Sequence, residues 1–258
     1  MKLGVFQFNP FFADPDSNIS YIDENIPDIL PDVMVFPELC LTGYNFKSKN
    51  QLIDISEDLG NSPRINHLSQ ICKERKGSMI LGISERENND IFNSAVFLNG
   101  EGVKFVYRKI HLFNKEKDIF SPGKYHLEPF AWKEVKIGIL ICFDWAFPEA
   151  ARTLAMKGAE IICHPCNLVL PYGQKAMRIR ALENRIYTVS ANRIGTEDDI
   201  RFTGKSQIAD INGEVIAQLG EKESGYLIAD LNVEDARDKS ITERNHLFND
   251  RKPEFYDL

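Results

Sequence analysis

No stretch of the 258-residue chain approaches the roughly 20 consecutive apolar residues that a membrane span needs. There is no Lys/Arg block either, only scattered positives such as Lys73, Arg75 and Lys76, and the net charge is −7. Nucleic-acid binding calls for a basic surface, so this balance argues against it and leaves small molecules or proteins as partners. Internal repeats, low-complexity tracts and long Gly/Ser/Pro linkers are missing, and one domain over 1–258 is the simplest organisation. Cysteine is sparse and odd in number: Cys40, Cys72, Cys142, Cys163 and Cys166. Without a secretion signal this points to reduced thiols in the cytoplasm rather than a disulfide framework. The opening MKLGVFQFNPFF is broken by Gln7, Asn9 and Pro10 and lacks a small-residue cleavage site, so it reads as a first strand.

What is present is a 43% hydrophobic, 27% charged composition, ordinary for a protein with a substantial core. Short apolar runs predict strands at 2–8, 32–36, 78–85, 92–98, 103–108, 136–141, 160–163, 187–191, 204–209, 214–218 and 225–230. Amphipathic segments predict helices at 17–29, 62–76, 148–157 and 173–185, and a short one near 232–237. Asp16 or Ser17 is placed to cap the first helix, and Asn61 with Pro63 behind it the second. Asn99-Gly100 and Asn212-Gly213 lie between apolar runs and mark hairpins. Hairpins mixed with strand–helix units imply an α/β fold of two packed mixed sheets flanked by helices.

Three segments can carry chemistry. In VMVFPELCLTGY (33–44) an apolar strand stops at Pro37 and the next residue is Glu38. A carboxylate among so much apolar surface should have a raised pKa, which suits general-base work near neutrality. Taken alone, the segment fits a loop or ion-paired glutamate better, since structural carboxylates outnumber catalytic ones. In VKFVYRKIHLF (103–113) a strand carries Arg108 and Lys109 to its end. A lysine can hold a thiolate or an oxyanion as a compact charge, yet an edge lysine that discourages strand pairing is the plainer reading. In VKIGILICFDWAFPEAARTLAMKGAE (135–160) a strand ends at Cys142, and Pro148-Glu149 opens an Ala-rich helix. Strand, nucleophile, sharp turn and helix make the layout of a nucleophile elbow, with the Phe143 N–H facing an oxyanion. A nearby lysine and helix N-terminus would lower the thiol pKa. A packed core cysteine is an equal reading until the segments are combined. Glu38, Lys109 and Cys142 each end a predicted strand, at the sheet edge where α/β sites assemble, and together they form a set for acyl transfer.

The blocks FPELCLTGY, YRKIHLF and ICFDWAFPEAARTLAMKGAEII, with HPCNLVLPY (164–172) and RALENRIYTVSANR (180–193), resemble the signature blocks of the nitrilase superfamily of carbon–nitrogen hydrolases. The resemblance covers nearly the whole chain. It implies a four-layer α-β-β-α sandwich, a homodimer or larger assembly, a small amide as substrate, and no cofactor. By the same resemblance Glu38 is the general base, Cys142 the nucleophile that forms a thioester, and Lys109 with the Phe143 N–H the oxyanion stabiliser. Glu116, in HLFNKEKDIFSPG, is the best match to the family's second glutamate. Tyr44, Trp145 and Asn167 fall in segments that line the substrate pocket.

The pair Cys163-His164-Pro165-Cys166 admits a redox or zinc reading. Zinc lacks a second suitably spaced ligand pair, and the resemblance makes the segment a pocket-lining strand end. Asp144 can hold the turn after Cys142, while Trp145 walls the pocket or simply packs. Relatives acting on dicarboxylic acid monoamides carry arginine at the position of Trp145, which weakens that assignment. Arg180, Glu183 and Arg185 have helical spacing and read as ion pairs or dimer contacts. The other outcomes are an inactive binding relative, or capture of the thioester by an amine. Amide or N-carbamoyl hydrolysis is favoured over nitrile hydrolysis, since most of the family are amidases and the extended C-terminal region common in true nitrilases is absent.

Overall fold

The computed structural model describes residues 1–256. The first half runs β1 (Lys2–Gln7), α1 (Pro15–Asn25), β2 (Val33–Val35), α2 (Pro63–Glu74), β3 (Met79–Glu87), β4 (Asp90–Asn99) and β5 (Gly102–Arg108). A short helix α3 (Glu116–Ile119) leads to β6 (Phe130–Trp132). The second half is β7 (Val135–Ile139), α4 (Pro148–Met156), β8 (Ile161–Pro165), α5 (Gly173–Asn184) and β9 (Tyr187–Ala191). A small hairpin, β10 (Thr196–Glu197) with β11 (Ile200–Arg201), precedes β12 (Gln207–Ala209) and β13 (Val215–Gln218). Then come β14 (Gly225–Asp230), α6 (Glu234–Arg237) and the hairpin β15 (Ser240–Thr242) with β16 (Asn245–His246).

The strands form two six-stranded sheets, ordered β14-β1-β2-β3-β4-β5 and β6-β7-β8-β9-β12-β13. In each, a parallel trio has one antiparallel strand on its first side and two on its other. The two halves therefore share one topology, a repeat that no sequence similarity announces.

Strand alternation divides the apolar residues between two kinds of interface. Leu3, Val5, Val33, Val35, Ile137, Ile139, Ile161 and Val189 meet between the sheets. Phe6, Met34 and Leu81 face the other way and pack with Ile19 and Ile22 of α1 and with Leu68 and Ile71 of α2. Leu140 and Ile162 do the same with Ala151 and Leu154 of α4 and Met177 of α5. The result is an α-β-β-α sandwich. Strands covered on both faces need apolar residues at successive positions, which is why the runs look continuous in the sequence.

Several boundaries differ from expectation. Asp14 caps α1, accepting from the Ser17 N–H at 3.1 Å, rather than Asp16 or Ser17. The helix ends at Asn25 rather than 29, just ahead of Pro27, whose ring disfavours helical geometry in the residue before it. Ser62, not Asn61, caps α2 through its hydroxyl and the Ile65 N–H. Strand β7 stops at Ile139 instead of 141, and residues 140–141 carry the chain out of the sheet toward Cys142.

Candidate active site

Glu38 follows β2 in a turn clamped against β3. Gly82 donates its N–H to the Pro37 carbonyl at 3.2 Å, and its own carbonyl accepts from the Cys40 N–H at 2.8 Å. A Cβ on Gly82 would sit 2.3 Å from the Glu38 Cα, so only glycine permits this approach. Leu39 takes φ of 49°, a strained value for a branched residue. The Glu38 carboxylate is fully buried, and burial raises its pKa against the pull of Lys109, while the charge of Glu116 adds to the rise. Its Oε1 accepts from Asn93 Nδ2 and from Lys109 Nζ, both at 2.7 Å. Its Oε2 has no partner, so one oxygen is held while the other stays free to take a proton.

Lys109 lies one residue beyond β5, its N–H bonded to the Asn93 carbonyl at 2.9 Å. Strand alternation sends its neighbour Arg108 the other way, to Glu85 at 2.5 Å and over the Phe92 ring at 4.0 Å. The Lys109 ammonium bridges Glu38 and Glu116, 2.7 and 2.8 Å away. Burial alone would depress it, but the two carboxylates outweigh burial and hold it above the usual lysine range. Glu116 opens α3 and also accepts from the Phe113 N–H at 3.1 Å and from Tyr44 Oη at 2.9 Å.

Cys142 follows β7 with φ of 39°, a left-handed value that costs a non-glycine residue about 1–3 kcal/mol. Asp144 fastens this elbow. Its Oδ2 accepts from the Ile141 N–H at 2.7 Å and from Tyr107 Oη at 2.8 Å, and its Oδ1 meets His111 Nδ1 at 2.6 Å. The thiol differs from expectation in one respect. Burial first, then the charge of Glu38, push it well above the ordinary cysteine value, and Lys109 and the Asn167 N–H offset only part of this. The resting group is therefore a thiol rather than a thiolate.

A small pocket of about 20 Å³ adjoins Cys142, lined by Phe113, Phe143, Trp145, Asn167, Leu168, Val169 and Leu170. That volume holds about one water molecule. A larger cleft of about 560 Å³ shares Phe113 and Val169 with it, and Tyr44, Lys115, Glu116 and Arg201 line its walls. Asn167 is 2% exposed and both its side-chain amide atoms are unpartnered, an arrangement that leaves them for a bound molecule. The candidate catalytic and pocket residues thus reach one neighbourhood: Glu38, Lys109, Glu116 and Tyr44 in a hydrogen-bonded chain, Cys142, Phe143, Trp145 and Asn167 around the small pocket.

A sequence model of the family described as carbon-nitrogen hydrolase matches residues 2–239. The chain belongs to that family. A nitrilase from Pyrococcus abyssi is 39% identical over 99% of both chains. A citrullinase from Francisella tularensis is 31% identical over 100% of this chain and 97% of its own. Among solved structures, an amidase of the nitrilase superfamily from Nesterenkonia superposes with a TM-score of 0.80 at 25% identity, covering 92% of this chain and 93% of that one.

Sequence reasoning passed over several groups in this carbon–nitrogen hydrolase. Asn93, which steadies Glu38, interrupts the apolar run of β4, and a lone amide in such a run was the available signal. Arg193 is fully buried, pairs with Glu197 and lies 4.1 Å over the Phe202 ring. Glu197 in turn accepts from the N–H groups of Tyr44 and Asn45 at 3.0 and 2.7 Å, which fixes the start of the Tyr44 loop. Cys163 and Cys166 sit in the inter-sheet core, their thiols raised by burial. Arg180 and Glu183 form an ion pair at 3.0 Å, as their spacing implied. No helix among the described residues is long and apolar enough to cross a membrane.

Proposed function

We propose that this carbon–nitrogen hydrolase cleaves a small linear amide or N-carbamoyl compound through a thioester on Cys142. The observation that carries the reading is the Lys109 ammonium bridging Glu38 and Glu116 while Glu38 Oε2 stays unpartnered beside a protonated thiol. Glu38 removes the thiol proton as sulfur attacks the carbonyl carbon. The oxyanion forms against Lys109 and the Phe143 N–H. Glu38 returns its proton to the departing nitrogen, the C–N bond breaks, and ammonia or amine leaves. Water then gives a proton to Glu38 and adds to the thioester, and the C–S bond breaks as the thiol is re-formed. Glu116 touches Lys109 rather than the thiol and holds the cation in place.

The apolar lining by Phe113, Trp145, Leu168 and Leu170 favours an uncharged acyl group next to the carbonyl. The small pocket offers no cation, so a dicarboxylic acid monoamide would have to set its second carboxylate against Lys115 or Arg201 of the adjoining cleft. A homodimer in the cytoplasm is the expected setting. Ile179 and Leu182 on α5 and Met156 on α4 are about half exposed and supply an apolar face for a second copy.

Purified enzyme and its Cys142→Ala variant, given a panel of simple amides, N-carbamoyl amines, N-carbamoyl amino acids and nitriles, decide the question by released ammonia. Release by the parent alone supports the reading, and the best substrate names the class. Equal release by both proteins removes Cys142 as nucleophile.

A further inference from the structure

His164 lies in the Cys163–Cys166 segment that the chemistry above leaves unused. It is fully buried on β8, beneath the Cys142 elbow, with Ser190 of β9 as its register partner. Its Nε2 lies 2.9 Å from the Cys142 carbonyl oxygen and its Nδ1 lies 3.2 Å from Ser190 Oγ. A carbonyl oxygen only accepts, so Nε2 carries the proton. In the neutral ring Nδ1 is then an acceptor, and the Ser190 hydroxyl donates to it. Burial lowers the imidazole pKa to about 4, which keeps the ring neutral and this tautomer in place near neutrality.

The carbonyl that His164 holds belongs to the same peptide unit as the Phe143 N–H. That unit is trans, as are all peptide bonds among the described residues. In a trans peptide the C=O and N–H vectors point in opposite directions. Drawing the Cys142 oxygen toward His164 therefore turns the Phe143 N–H away from His164. Phe143 is the second residue of a 3₁₀ turn, a position whose N–H has no acceptor within the turn. A donor to the carbonyl also withdraws charge through the amide and strengthens the N–H at its other end.

We propose that His164 is the positioning residue of the oxyanion site: its Nε2–H grips the Cys142 carbonyl and so aims and polarises the Phe143 N–H. This rests on the thioester reading given above. It accounts for a buried polar ring under an elbow that Asp144 already fastens.

The test compares the parent enzyme with His164→Gln, which keeps a donor near Nε2, His164→Met, which has none, and Cys142→Ala. Turnover of the best amide is measured beside the rate at which iodoacetamide alkylates Cys142, a displacement that forms no oxyanion. Loss of a whole oxyanion donor costs about 100- to 1,000-fold, so a misaimed one should lower kcat about 10- to 100-fold in His164→Met. KM and alkylation should stay within about threefold, and His164→Gln should recover most of the loss. Parent-level kcat in His164→Met overturns the assignment. So does a fall in alkylation equal to the fall in kcat, or a Gln variant no better than Met. If Met unfolds the chain, His164→Gln and Ser190→Ala decide: the assignment expects near-parent kcat in the first and a several-fold loss in the second, both with unchanged alkylation, and either result reversed defeats it. Undiminished hydrolysis by Cys142→Ala would instead overturn the thioester reading, and this assignment with it.

Discussion

The Tyr44 hydroxyl donates to Glu116 Oε1 at 2.9 Å, the same oxygen that accepts from Lys109 Nζ at 2.9 Å. Burial and the charge of Glu116 raise the phenol pKa far above its ordinary value, so Tyr44 stays a neutral donor. A hydrogen bond to a charged group contributes about 1.5–3 kcal/mol. Tyr44→Phe should therefore lower kcat about tenfold or more, with the fold intact because Lys109 and the Phe113 N–H still hold Glu116. Steady-state ammonia release and a melting curve check both halves.

Glu38→Gln separates catalysis from stability. Loss of a general base costs about 100- to 10,000-fold in kcat. The sign of the stability effect follows from the raised carboxyl pKa in the folded state. Such a group favours folding only below its unfolded pKa, and that contribution fades as pH rises through the folded value. At neutral pH a neutral amide should leave Tm unchanged or higher. Lys109→Met should do the opposite, since it strands two buried carboxylates, and a loss of about 3–5 kcal/mol is expected. Denaturant titration of the two variants side by side tests the contrast.

On the thioester reading, the same raised carboxyl should set the acid side of the activity profile. Glu38 must be ionised to accept the thiol proton, so kcat/KM should fall as pH drops, with its midpoint above the ordinary glutamate value of 4.5. Cys142 itself stays protonated across the neutral range. Its alkylation by iodoacetamide should therefore rise with the ionisation of Glu38 and lose that acid limb in Glu38→Gln. An unchanged limb in the variant would assign it to another group.

The Gly82 contact makes a sharper demand on backbone shape. Gly82→Ala places a methyl 2.3 Å from the Glu38 Cα and 2.6 Å from the Pro37 carbonyl oxygen. Neither atom belongs to a flexible side chain, so the turn must leave β3. A loss of about 1–3 kcal/mol in stability is expected, together with nearly complete loss of turnover. A variant that folds and works normally would show that the Glu38 turn tolerates displacement.

What was legible in the sequence shares a cause with what works in the structure. Glu38, Lys109 and Cys142 stand where apolar runs stop, and the sheet edge gathers such positions. The Asn99-Gly100 and Asn212-Gly213 signals both gave hairpins. The β6–β7 hairpin stayed hidden because Lys133 and Glu134 adopt φ of 48° and 64° without glycine or asparagine to announce the turn. The Arg193–Glu197 pair was invisible because burial of a charge depends on tertiary neighbours and not on local pattern. The thiol pKa was misjudged for the same reason: neighbouring cations can be inferred from sequence, whereas the depth of burial that outweighs them cannot.

On the thioester reading, Trp145 should decide which acyl groups enter. It lines the small pocket beside Cys142 and packs edge-on to Phe143, with ring centroids 6.3 Å apart. Phe113 stands against Phe143 at 5.0 Å, so three aromatic rings restrict the space around the reacting carbonyl. Removing the indole opens room without placing a charge, and none of the hydrogen bonds to Glu38 or Lys109 involves the Trp145 side chain. Trp145→Ala should therefore leave alkylation of Cys142 near the parent rate. Small acyl amides should lose about tenfold in kcat/KM as packing against the acyl group is lost, while bulkier or aromatic ones gain by a comparable factor. A crossover in kcat/KM along a series of linear and branched amides would mark Trp145 as the wall of the acyl site. Parallel losses for every member would mean that the ring supports the elbow instead.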